Sequence, residues 1–143
     1  PAGTSTAESI AAAGYKVLIL EEHSEVGIPV HCSGLVTPRT IRAAKVGEEL
    51  IDHSIIGATI HGVAGSSLNL GGDHLRAVVL DRAALDQSLA ERAQNQGSEM
   101  WLGSRLQAIH RENGHLELGI RQGSRDRAVS VRTRLLVGAD GWN

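Results

Sequence analysis

Apolar and polar positions divide the chain into short segments of two periods. Thr4 to Ala13 is rich in helix formers, and Gly14 stands where a left-handed C-cap residue belongs, which predicts a helix ending there. Lys16 to Leu20 is short, apolar and partly β-branched, the pattern of a strand buried in a parallel sheet. Residues 22–36 read as a loop rich in Gly, Pro and Ser. Thr37-Pro38 predicts a helix start, with a hydroxyl N-cap and proline at the first helical position, and the helix should run to about Ala44. Residues 55–63 and 75–80 predict strands, separated by Gly65-Ser66-Ser67 and by Gly71-Gly72.

Asp81 predicts the cap of a third helix over 82–96, with Leu85, Leu89 and Ala93 on one face and Gly97 at its end. Segments 104–111, 115–121 and 127–133 alternate as strands do. Asn113-Gly114 and Gln122-Gly123-Ser124 are their turns, so an antiparallel meander is expected. Leu135-Leu136-Val137 predicts a return to a buried strand that delivers Gly138-Ala139-Asp140-Gly141 at its carboxyl end. The whole reads as an α/β fold with a parallel sheet, a β-meander and inserted β-strands.

Composition narrows the class. The 143 residues amount to one domain or part of a larger one, and 41% hydrophobic content is enough for a core. There is no Phe, one Tyr and two Trp, so Leu, Ile, Val and Ala must fill that core. A net charge of −2 argues against non-specific nucleic-acid binding, which needs a positive surplus. No apolar run is long enough to span a membrane. A single cysteine excludes an internal disulfide and suits a reducing compartment.

Candidate chemistry begins at the first residues. Pro1-Ala2-Gly3 opens the first helix, and Glu21 stands 18 positions after Gly3, just past the first strand. A dinucleotide fingerprint has its last glycine at a helix N-terminus and a ribose-binding carboxylate about 20 residues later. The chain therefore reads as nucleotide-binding, with the first strand and first two glycines of the motif expected before residue 1. Glu21 would accept both ribose hydroxyls, and its charge would repel a 2′-phosphate. Asp140-Gly141 repeats the logic at a second strand end, unless it is an ordinary Asp-Gly turn. Cys32 lies in Val30-His31-Cys32-Ser33-Gly34-Leu35-Val36, a turn able to bring backbone and a thiol close to a flat ligand. As a lone cysteine it also fits a small buried hydrophobe. The seven histidines show no HxxxH or HExxH spacing and there is no second cysteine, so no metal site is expected. No Gly-x-Ser-x-Gly elbow is present, and the arginines of 121–134 read as a solvated face.

These pieces together resemble a known family. Pro1-Ala2-Gly3 with Glu21, the loop Gly27-Ile28-Pro29-Val30-His31-Cys32-Ser33-Gly34-Leu35-Val36, Val79-Leu80-Asp81-Arg82 with Leu85-Asp86, and Val137-Gly138-Ala139-Asp140-Gly141 follow in order. They resemble the FAD-dependent geranylgeranyl reductases, within the wider group that shares the p-hydroxybenzoate hydroxylase fold. The resemblance implies a partial, Rossmann-like FAD-binding domain over 1–143. Its first strand and C-terminal part would lie outside the chain, and the strands of 55–80 would contribute to the substrate side.

It further implies that Ala2 and Gly3 pack on the FAD pyrophosphate and Glu21 holds the adenosine ribose. Cys32, Ser33, Gly34 and Val36 would line the reactive region of the flavin, with Cys32 the candidate proton donor or positioning group. Arg82 would reach the cofactor from the side, Leu106 would meet the adenine through its backbone, and Asp140 and Gly141 would complete the site. Without the resemblance, Asp81-Arg82 reads equally as an N-cap and a surface charge, and Leu106 as a core strand residue. The implied activity is reduction of carbon–carbon double bonds in a geranylgeranyl or other polyprenyl group, with NAD(P)H or another donor reducing the flavin. The alternative is an FAD-dependent monooxygenase of the same fold acting on an aromatic or quinone precursor. A non-catalytic nucleotide-binding domain is the rival from another class. A prenyl lipid substrate, a cytoplasmic setting and peripheral membrane contact follow as expectations, with no nucleic-acid partner.

Overall fold

The computed structural model describes residues 1–123 and 127–141. The elements run α1 (Ala2–Ala12), β1 (Leu18–Leu20), β2 (Leu35–Val36), α2 (Pro38–Ala44), a 3-10 turn (Glu48–Leu50), β3 (Ile51–Ile55), β4 (Gly57–His61) and β5 (Ser67–Gly71). They continue as β6 (Ala77–Leu80), α3 (Arg82–Asn95), β7 (Glu99–Trp101), β8 (Ser104–Glu112), β9 (His115–Gln122) and β10 (Arg127–Thr133). The chain forms two compact units, residues 1–28 with 86–143 and residues 29–85, and the division falls inside α3. The fold is α/β, as the pattern predicts.

In the first unit β1 pairs in parallel with β7, Leu18 opposite Glu99 and Leu20 opposite Trp101. The seam continues past the strand ends, where the Glu21 N–H donates to the Trp101 carbonyl at 3.0 Å and the Ser104 N–H to the Glu21 carbonyl at 2.8 Å. The meander β8-β9-β10 is antiparallel, with its turn at Asn113-Gly114, both at positive φ (48° and 78°). That geometry is the reason for the Asn-Gly pair, since few other residues tolerate two successive left-handed positions. Leu118 and Ile120 of the central β9 are buried. A bulge between Leu106 and Ala108 interrupts the β8–β9 register.

α1 buries Ala7 and Ala11 one turn apart, and α3 buries Leu89, Ala90 and Ala93. A partly buried ion pair ties the two helices: Arg92 donates from Nε to Glu8 Oε1 at 3.2 Å and from Nη2 to Oε2 at 2.7 Å. The forked geometry holds orientation as well as charge. The Ser98 hydroxyl donates to the Ala7 carbonyl at 3.4 Å, satisfying a buried polar group behind α3.

In the second unit β6 is the centre of an antiparallel sheet, β2-β6-β3, and buries Val78 and Leu80. The expected strand over 55–63 is β4, preceded by an unexpected β3: β3 pairs with β6, then after Ile56 the chain changes partner and β4 forms a hairpin with β5. The physical reason is steric. A Cβ on Gly57 would lie 2.5 Å from the Leu70 carbonyl oxygen, and one on Gly71 would lie 2.5 Å from the Ile56 oxygen, so the hairpin closes only on glycine. β5 fills the stretch between the two expected turns and takes Ser67 and Gly71 from them, and Ser-Leu-Asn-Leu alternates as a strand should.

α1 and α3 stop where glycines predict, with Gly14 at φ +85° and Gly97 at +99°. Asp81 caps α3, its Oδ1 accepting from the Ala84 N–H at 3.0 Å. Pro38 opens α2 behind Thr37, but the Thr37 hydroxyl makes no cap bond and lies 3.3 Å from the Thr40 hydroxyl. The expected Gln122-Gly123-Ser124 turn keeps Gly123 at φ +71°, while Ser124 lies outside the described residues.

One expectation is overturned. Leu135-Leu136-Val137 is not a buried strand: residues 135–141 have no regular structure, with Leu135 68% and Val137 48% exposed. An apolar run becomes a strand only with a hydrogen-bonding neighbour, and none of the described strands pairs with it. Asp140 and Gly141 therefore follow a segment without regular structure rather than a sheet strand.

The α3 packing can be tested directly. Ala93 is fully buried, so Ala93→Leu should cost about 1–3 kcal/mol by overpacking. Urea denaturation of the full-length protein measures the loss, and an unchanged midpoint would show that the helix face has room to spare.

Candidate functional site

In the first unit the two glycine-containing motifs meet. A Cβ on Gly3, in the first turn of α1, would lie 3.2 Å from the Ala139 Cβ. The start of α1 and the segment Gly138-Ala139-Asp140-Gly141 thus stand in van der Waals contact, although 136 positions separate Gly3 from Ala139 in the chain. The first turn of α1 carries no acidic side chain. Its unpaired N–H groups and the helix dipole favour an anion there, and glycine lets backbone approach it. Asp140 is exposed and Gly141 holds φ +75°, a left-handed turn that suits glycine. Ala2 is exposed at the first position of α1.

Glu21 follows β1 with its backbone fixed on both sides by Trp101 and Ser104. Its Oε1 accepts from the His23 N–H at 2.9 Å and stands 2.7 Å from His23 Nδ1. Glu22 turns to β8 instead, its Oε2 lying 3.4 Å from Arg105 Nε. Leu106, one position after Arg105, is half-buried beside the bulge of β8. Glu21 and the start of β8 are therefore brought together by the Glu21–Ser104 backbone bond.

The remaining expected residues belong to the second unit. Gly34 has φ +72°, its carbonyl accepts from the Leu80 N–H at 3.0 Å, and it leaves no room for a side chain: a Cβ would lie 2.2 Å from the Leu80 oxygen. Leu35 and Val36 then pair with Val79 and Val78 as β2. This close approach sets Cys32-Ser33-Gly34 against the strand that leads into Asp81 and Arg82. Cys32 and Ser33 are exposed, while Val36 and Arg82 are half-buried. Among the described residues no group of His, Cys, Asp and Glu could hold a metal ion.

All 143 residues match the family model described as an FAD binding domain. The chain belongs to this family. It is 31% identical to digeranylgeranylglycerophospholipid reductase 2 of Methanopyrus kandleri over 99% of its own length and 35% of that protein's. It is 29% identical to the geranylgeranyl diphosphate reductase of Rhodobacter capsulatus, covering all of this chain and 36% of the relative. The chain thus spans about a third of the length of the curated relatives it matches.

Among solved structures, a geranylgeranyl bacteriochlorophyll reductase-like protein from Thermoplasma acidophilum superposes with a TM-score of 0.84 at 27% identity, over 97% of this chain and 36% of that one. Aklavinone-11 hydroxylase with bound FAD superposes at 0.72 with 20% identity, over 97% of this chain and 31% of that one, a likeness of fold alone.

The residues present fit FAD. Gly3 against Ala139 leaves backbone, not side chain, at the start of α1, as a pyrophosphate cradle needs. Glu21 offers a carboxylate on a backbone fixed just beyond a parallel strand, where a ribose diol binds in such sheets. Trp101, Ser104 and His23 were not legible as site residues. Their part is to fix Glu21 through backbone and turn contacts, and short segments such as Glu99–Trp101 carry too little pattern to announce a strand.

Gly34→Ala should destabilise the full-length protein by about 1–3 kcal/mol from the left-handed backbone alone, with the clash at Leu80 adding to it. Gly14→Ala, at φ +85° with nothing within 4 Å, isolates the backbone cost. Equal losses in thermal or urea unfolding would mean that the Leu80 contact relaxes freely.

Proposed function

We propose that this chain is the FAD-binding part of an oxidoreductase that reduces carbon–carbon double bonds in a geranylgeranyl or other polyprenyl group. The observation that carries the reading is the whole-chain likeness to proteins named as geranylgeranyl reductases. Their names differ in what the group is attached to, a glycerophospholipid in one and a diphosphate in another, and share the prenyl chain itself. When bound, FAD supplies hydride transfer, with NAD(P)H or another donor as the source of electrons.

The chain's own residues then bind and orient. Ala2 and Gly3 present the N–H groups of α1 to the pyrophosphate, and Asp140 and Gly141, beside Gly3 through Ala139, complete that edge. Glu21 accepts hydrogen bonds from the adenosine ribose, and the backbone of Leu106 at the β8 bulge serves the adenine. Cys32, Ser33, Gly34 and Val36 line the flavin's reactive region, Arg82 offers a cation to the cofactor's anionic part, and the Cys32 thiol is the proton donor. Strands within 55–80 form the substrate side, a role supported by the exposed Ile56, Ile60, Leu68 and Leu70. The substrate is a prenyl lipid met by peripheral contact with a membrane. None of the described helices is long and apolar enough to cross one.

The test is to supply the full-length protein with FAD, reduced nicotinamide and a geranylgeranyl lipid, and to weigh the product. A gain of two hydrogens for each bond reduced supports the reading. Oxygen incorporated into a phenolic substrate, with the prenyl lipid untouched, overturns it. Glu21→Ala should weaken FAD by about 1.5–3 kcal/mol, the range for charge-assisted hydrogen bonds, as titration by flavin fluorescence would record. Cys32→Ala should lower turnover about a hundredfold with FAD still bound, the scale of a general acid. Unchanged turnover would remove Cys32 from the chemistry.

A further inference from the structure

His23 is absent from every motif above, yet the turn after β1 is built around it. Its N–H donates to Glu21 Oε1 at 2.9 Å, its ring Nδ1 stands 2.7 Å from the same oxygen, and its carbonyl accepts from the Gly103 N–H at 2.8 Å. Glu21 is itself held by Trp101 and Ser104, so both residues of the contact are fixed to the β7–β8 connection. Both side-chain-directed contacts fall on Oε1. The acid next to it, Glu22, is drawn off to Arg105 and does not compete for the ring.

We propose that His23 is a positioning residue for cofactor binding: it fixes the Glu21 carboxylate in the orientation that the adenosine ribose requires. This rests on the reading of Glu21 as the ribose ligand. A free glutamate side chain samples many rotamers, and ordering it before the ligand arrives removes that cost from binding. Neutral imidazole with its proton on Nδ1 and imidazolium both donate from that atom, so the contact does not depend on the charge of His23. The pair is partly solvent-exposed, with 46% of the His23 side chain and 32% of the Glu21 side chain accessible, so the effect should be a few-fold.

The experiment compares wild type, His23→Ala, His23→Asn and Glu21→Ala in the full-length protein. The ligands are FAD and its 2′,3′-dideoxyadenosine analogue, followed by flavin fluorescence. His23→Ala should bind FAD about three- to five-fold more weakly. His23→Asn, whose amide nitrogen can take the place of Nδ1, should stay within about twofold of wild type. On the dideoxy analogue all three histidine forms should bind alike, because the hydroxyls that the carboxylate serves are gone. FAD affinity unchanged in His23→Ala but reduced in Glu21→Ala would overturn the inference and leave the ribose reading standing. An equal loss for both ligands in His23→Ala would assign the residue to the turn alone and overturn it too. Unchanged FAD binding in Glu21→Ala would sink the ribose reading and this inference with it.

Discussion

The parallel seam between β1 and β7 is the constraint on which the first unit depends. It is short, three residues on each side, but it continues through the Glu21–Trp101 and Ser104–Glu21 backbone bonds. Those bonds place a carboxylate at the carboxyl end of a strand and start β8 directly beside it. Backbone bonds of this kind are obligatory for buried amides, so the position of Glu21 follows from the sheet and not from its own side chain. Arg92 and Glu8 then tie α3 to α1. The ion pair is partly buried on both sides, where a forked guanidinium–carboxylate contact orients more than it stabilises.

Glycine makes one close contact possible in each unit by allowing backbone to touch backbone or methyl. Gly3 meets Ala139, and Gly34 meets the Leu80 carbonyl. The first contact joins two motifs far apart in sequence at the start of one helix. The second anchors the Cys32 loop to β6, immediately before the capped start of α3. Each contact leaves room for glycine alone, because a Cβ would meet the Ala139 methyl in one case and the Leu80 backbone in the other.

Legibility in the sequence tracked local physics. The ends of α1 and α3, the proline start of α2, the Asp81 cap, the Asn113-Gly114 turn and the three meander strands were all readable, because each is decided by residues within a few positions. Of the candidate residues, Gly3 and Glu21 were marked by spacing alone. Cys32 was marked as a candidate by its turn, while Arg82 and Leu106 gained a role only through resemblance to a family. His23 carried no signal, since its contact with Glu21 is made by a turn that bends its ring back to that residue. The strands β3, β5 and β7 were missed or mis-bounded: their partners lie elsewhere in the chain, and a three- to five-residue segment has no period long enough to read.

By itself, then, the sequence determined where helices start and stop, which turns are tight, and that a nucleotide-binding pattern runs from Gly3 to Glu21. Propensity, capping and positive-φ demands are properties of neighbours along the chain. Only the tertiary structure decided that Gly3 touches Ala139, that residues 51–61 serve two different sheets, and that Leu135 to Val137 joins none of the described strands, with Leu135 and Val137 exposed. Each of these turns on which distant backbone is available to bond or pack. An apolar run with no hydrogen-bonding neighbour is not a strand, however well its residues suit one.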